Sequence, residues 1–141
     1  MARLTVQVKL IPDAGQSVAL RATVERANHA ANAVSAVAWS TQTFRQFDLH
    51  KLVYRETRER FGLSAQCVVR LIAKVADAYK LDRLRPRSFR PLGAVAYDGR
   101  ILAYGSERVS IWTLSGRQTI PFVCGERQRE MLTHQHGESD L

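Results

Sequence analysis

Apolar and polar positions alternate strictly at the start of the chain, where Leu4, Val6, Val8 and Leu10 are separated by Thr5, Gln7 and Lys9. A period of two puts one set on each face of an extended backbone, so residues 4–10 read as a strand with one buried side. A lone strand is not stable in water, and its partners are expected from the strand-rich second half of the chain. The helices in between then form an insertion into a sheet, and the fold class is α+β. Pro12 and Asp13 end the strand and open a helix.

The period next changes from two to that of a helix. Over residues 14–39, Leu20, Val24, Ala27, Ala31, Val34 and Ala38 follow a 4-3-4-3-4 spacing, with small alanines that allow close helix approach. Asn28, Asn32, Ser35 and Trp39 lie on a second face, suited either to RNA or to hydrogen bonds between helices. Residues 40–47 read as a loop, after which Asp48 is expected to cap a shorter helix through Phe61 that carries Lys51, Arg55, Arg58 and Arg60. Gly62 suits the left-handed position that closes it.

A third helix is expected over residues 63–80, with Ala65, Val68, Ile72, Val75 and Tyr79 at spacings of three and four. Ser64 fits its N-cap. Gln66, Arg70, Lys74 and Asp77 form the opposite stripe. Such a stripe is either a solvated face or, at the helix start where Ser64, Gln66 and Arg70 come together, a contact for phosphate or a base edge.

Helical pattern stops after Lys80. Arg83, Arg85, Arg87 and Arg90 fall within eight positions with Pro86 among them and Pro91 directly after, an extended basic linker of the kind that follows a phosphate backbone or is merely solvated. Two hairpins are expected next: one around Asp98-Gly99 as a type I′ turn, the other around Ser115-Gly116. Pro121 belongs on an edge or at a strand end. Residues 125–135 read as a short polar helix, and the last residues as a tail without a packing signal.

Composition sharpens the picture. Lys and Arg number 21 against 13 Asp and Glu, a formal net charge of +8 that favours a polyanionic partner, with nucleic acid ahead of an anionic membrane surface. The absence of a run of about 18 apolar residues and of a signal-type h-region leads to an expected cytoplasmic location without membrane contact. Cys67 and Cys124 lack partners nearby in sequence and read as reduced thiols. His134, His136, Glu138 and Asp140 form a weak metal signature with no second ligand pair, so no metal or other cofactor is expected. Phosphate-binding glycine loops and nucleophile, zinc-protease and Cys-x-x-Cys motifs are all missing, and the scattered carboxylates do not assemble a two-metal set. These residues read as those of a binder.

The order strand, helical insertion, basic linker and hairpins carries four further motifs: KLIPD at 9–13, LSAQCVVRLIAKVADAYK at 63–80, AYDGRIL at 96–102 and VSIWTLSGRQTIPF at 109–122. Together they resemble the N-terminal half of TnpB (OrfB-type) proteins, transposon-encoded RNA-guided DNA endonucleases related to type V CRISPR effectors. The resemblance implies a small antiparallel β-barrel, the wedge, from residues 1–12 and 81–141, with residues 13–80 as an inserted helical recognition lobe of about three helices. It implies guide RNA and double-stranded DNA as partners. By position in the matching motifs, Ser64, Gln66 and Arg70, then Tyr97, Asp98 and Arg100, would meet the target-adjacent DNA. Lys74, Arg83, Arg85, Arg87 and Arg90 would neutralise guide-RNA phosphates. The family's magnesium-binding Asp, Glu, Asp set and its zinc module match no stretch here, so the resemblance assigns binding and no catalytic residue. Two other readings stay open: an autonomous basic RNA- or DNA-binding module that acts without cleavage, and a helical protein-interaction domain.

Overall fold

The computed structural model of the chain describes residues 5–133 and 139–141. Its first half is three helices: α1 (Ala14–Thr41), α2 (Gln46–Phe61) and α3 (Ala65–Leu81). Asp13 opens α1 through a reciprocal cap, its carboxylate accepting from Gln16 N at 2.7 Å while the Gln16 side chain accepts from Asp13 N at 3.0 Å. The Gln16 amide also donates to Thr119 O at 3.0 Å, tying the start of α1 to a strand over a hundred residues away.

The helix α2 begins earlier than its sequence suggests. Arg45 occupies the N-cap without a side-chain cap bond, and Asp48 lies inside the first turn, 3.8 Å from Arg45 Nε. There its charge favours the helix dipole instead of capping a free N–H. The other end is as expected, with Gly62 at φ 62° and its N–H on Arg58 O. The next helix starts two residues later on Ser64, whose hydroxyl accepts from Cys67 N at 3.3 Å.

α3 is the most deeply buried element. Val68, Ile72, Val75, Ala76 and Tyr79 have no exposed surface, and all but Ala76 join α1, α2 and the strands in one apolar cluster. The polar OH of Tyr79 is kept satisfied inside this cluster by Ser35 Oγ at 2.9 Å and Arg87 N at 3.0 Å. Trp39 stacks along its ring and Phe44 lies 4.7 Å from it.

The second half supplies β2 (Ala96–Tyr97), β3 (Leu102–Tyr104), β4 (Arg108–Thr113), β5 (Gly116–Val123), α4 (Glu126–Leu132) and β6 (Ser139–Asp140), and the first half adds β1 (Lys9–Leu10). β1 lies against β5 in an antiparallel sheet of order β1-β5-β4-β3, and β2 pairs with β6 in a separate ladder. The long-range partner expected for the first strand is therefore β5, with Lys9 opposite Val123 and Leu10 opposite Phe122. The alternation of exposure runs on from Thr5 to Leu10, but residues 5–8 form no ladder.

The described strands form an open four-stranded sheet with β1 and β3 at its edges, and no closed barrel is found among them. Three local expectations are corrected. Asp98-Gly99 is not a type I′ hairpin, because neither residue has positive φ. Instead Ile101 N and Leu102 N both bond Asp98 O, a wider helical turn that sends β2 and β3 to different ladders. In the second hairpin the loop is Leu114-Ser115, with Thr113 opposite Gly116 and the glycine taking φ 99° to restart the strand. The C-terminal segment is not free of packing either. Leu141 exchanges backbone bonds with Val95 at 2.9 and 3.3 Å and rests on the core.

No helix among the described residues is long and apolar enough to cross a membrane.

Candidate nucleic-acid interface

Two stretches 32 residues apart in sequence meet where the first turn of α3 abuts the 98–101 turn, and Asp98 is the hub. Its Oδ2 accepts from the Gln66 amide and stands 3.3 Å from the Arg70 guanidinium, while its Oδ1 accepts from Arg100 N at 2.9 Å. Arg100 reaches back to Gln66 Oε1 at 3.0 Å. A carboxylate only accepts, so the Gln66 NH2 must face Asp98 and its oxygen must face Arg100, which sets the amide orientation. Side-chain exposure is 29% for Arg70 and 17% for Asp98, so this pair is less screened than a surface ion pair. Arg117, which sequence reasoning passed over, donates to Arg100 O at 3.1 Å and to Ser110 Oγ at 2.6 Å. The Arg70 guanidinium thus meets the carboxylate directly, while those of Arg100 and Arg117 extend the network through Gln66 and the Arg100 carbonyl.

Of the six residues expected to meet DNA, Gln66, Arg70, Asp98 and Arg100 are thus brought together. Ser64 is one turn away with its hydroxyl committed to the cap. Tyr97 is corrected to a core residue: it is fully buried, its OH approaches Trp112 O at 3.4 Å, and burial drives its ionisation well above the ordinary tyrosine range.

The amide stripe of α1 grips the basic linker. Asn28 Nδ2 donates to Pro91 O at 3.1 Å and Gly93 O at 2.8 Å, Asn32 bonds both backbone groups of Phe89, and Ser35 Oγ donates to Arg87 O at 2.5 Å. The stripe thus serves two partners, the linker backbone and α3, since Ser35 Oγ also lies 2.9 Å from Tyr79 Oη. Lys74 joins it, with Nζ 2.8 Å from both Asn28 Oδ1 and Ala94 O and 4.9 Å from the Phe89 ring centre. Burial lowers its pKa against the opposing pull of Asp140. Lys74 thus spends two of its three donors within the protein, and one remains for the phosphate contact expected of it.

The grip sets how the linker arginines are presented. Arg85 and Arg87 share Asp82 Oδ2 at 2.9 and 3.4 Å, and the Leu84 N–H together with Arg85 holds the Asp82 carboxyl below its usual range. Arg83 bonds Tyr79 O at 3.3 Å and lies over the Phe44 ring. Arg90 is exposed and has no ion pair among the described residues.

His134, His136 and Glu138 lie outside the described residues, and no group of three or more metal-ligating side chains occurs among those described. Both cysteines are free. The two best-formed cavities hold about 10 and 30 Å³, room for a water or two and far below the size of a small-molecule site.

No protein-family model matches the chain, and no curated protein matches it.

Proposed function

We propose that the chain is a nucleic-acid-binding unit of the kind that forms the guide- and target-binding half of TnpB-type RNA-guided endonucleases, binding structured RNA and a short duplex DNA motif and cutting neither. The observation that carries the reading is the convergence of Gln66, Arg70 and Arg100 on Asp98. An ordered amide flanked by guanidinium groups has the donors and acceptors that read base edges, Gln toward adenine and Arg toward guanine. The linker supports the RNA half, since Asn28, Asn32 and Ser35 hold its backbone between Arg87 and Gly93 while Arg83, Arg85 and Arg90 stay exposed.

Binding titrations of the full chain against a structured RNA and a duplex DNA library, over a salt series, test it. The expected result is salt-dependent binding of both, with selection of a short motif from the library. Absence of binding to either would overturn the reading. An arginine-insensitive self-association in its place would favour the alternative of a helical interaction domain.

A further inference from the structure

Strands β1, β3, β4 and β5 contain three basic residues, Lys9, Arg108 and Arg117, and no acidic one. Register decides where they go. Lys9 stands opposite Val123, Arg108 opposite Pro121 and Arg117 opposite Trp112. Arg117, Pro121 and Val123 are separated by even steps along β5, so all three cations share one face with Trp112. That face points outward, because the alternate residues Val109, Ile111, Ile120 and Phe122 are buried in the core. Ser110 and Thr119 add neutral polar groups between the charges. Arg117 is held in place by Ser110 Oγ and Arg100 O, which makes the face continuous with the edge of the Asp98 cluster.

We propose that this outward sheet face is a platform for single-stranded nucleic acid, with a base stacked on Trp112 and phosphates on Arg117, Arg108 and Lys9. The inference rests on the nucleic-acid reading above but uses a different surface. Charge complementarity fixes the sign of the occupant, since strands with three cations and no anion attract a polyanion. The half-buried indole selects an unpaired strand over a duplex, because stacking on a side chain needs a base face that pairing and stacking would hide. The cations are spread along β5 from Arg117 to the Val123 row, about 20 Å, the length of a short run of nucleotides and not of one phosphate.

Anisotropy titrations of the full chain with a labelled oligouridine and a labelled duplex DNA, over a salt series, test the platform. The double variant Lys9→Gln/Arg108→Gln is chosen because neither side chain has a partner among the described residues, whereas Arg117 has two. Its single-strand affinity should fall about tenfold at low salt and its salt slope by about 1.4, with duplex affinity within about twofold of the parent. Trp112→Phe keeps a smaller ring and should weaken oligouridine alone, by about threefold to tenfold. Unchanged oligouridine affinity and slope in the double variant would overturn the platform while leaving duplex binding intact. So would equal weakening toward both probes or toward anionic phospholipid vesicles, which marks a general cationic surface. A parent chain that binds neither probe would instead overturn the broader nucleic-acid reading.

Discussion

Asn32 holds Phe89 by both backbone groups, its Nδ2 donating to Phe89 O at 3.0 Å and its Oδ1 accepting from Phe89 N at 2.7 Å. One side-chain amide thereby does for the linker what a neighbouring strand would do, and the linker lies along α1 without becoming part of a sheet. Replacing it with Ala leaves an N–H and a C=O of Phe89 without partners at a half-buried position. Asn32→Ala should cost about 1–3 kcal/mol in urea unfolding. It should also speed limited trypsin cleavage after Arg87, and an unchanged cleavage rate would mean that the other bonds hold the linker alone.

Asp98 organises the residues that we assign to duplex DNA, so its loss should act differently from theirs. Arg70→Ala and Gln66→Ala should each weaken binding to the selected duplex by about 1–3 kcal/mol relative to a scrambled one. Asp98→Ala should keep total affinity near the parent's, since it removes a negative charge, and yet flatten the preference between sequences. Competition titrations with matched and scrambled duplexes check this. Full preference in Asp98→Ala would show that Gln66 and Arg70 do not need the carboxylate.

Linker arginines should separate according to how they are already paired. Arg90→Gln should lower the slope of log affinity against log salt by about 0.7–0.9 toward structured RNA. Arg87→Gln should lower it less, because its guanidinium is partly engaged by Asp82 at 3.4 Å. Salt-series binding of the two variants side by side decides it, and equal slopes for both and the parent would leave the linker outside the RNA contact.

Alkaline pH should unfold the chain partly through Tyr97. Burial raises its folded pKa above the ordinary value of about 10, so the unfolded chain loses the proton first. The resulting stability is complete below pH of about 10 and is lost as pH rises beyond it toward the folded pKa. Urea midpoints measured on either side of that value should fall more steeply in the parent than in Tyr97→Phe. Parallel falls would mean that other groups carry the alkaline sensitivity.

Local periodicity and end chemistry made the helical half readable. Ser64 at a cap, Gly62 at a left-handed stop and the reciprocal pair of Asp13 with a residue three positions on are decided within one turn of chain, and the structure has them where that chemistry requires. The burial of Val68, Ile72, Val75 and Tyr79 follows from spacing alone, as does the alternation from Thr5 to Leu10. Turn type was less readable: an Asp-Gly pair permits a I′ hairpin but does not compel one, and Asp98 instead caps a wider turn with both its side chain and its carbonyl.

What only the tertiary structure decided are the partnerships between distant segments, because a period says which face is buried and nothing about what buries it. The pairing of Ala96–Tyr97 with Ser139–Asp140 links segments over forty residues apart, of which the second carries no periodic signal. The same holds for the α1 amides, whose polarity was legible but whose partners, the backbone groups of a linker more than fifty residues on, were not. Gln66 and Arg70 were visible as a polar stripe. That they share one carboxylate with Arg100 depends on where the 98–101 turn packs, and long-range packing free energy, not local propensity, sets that position.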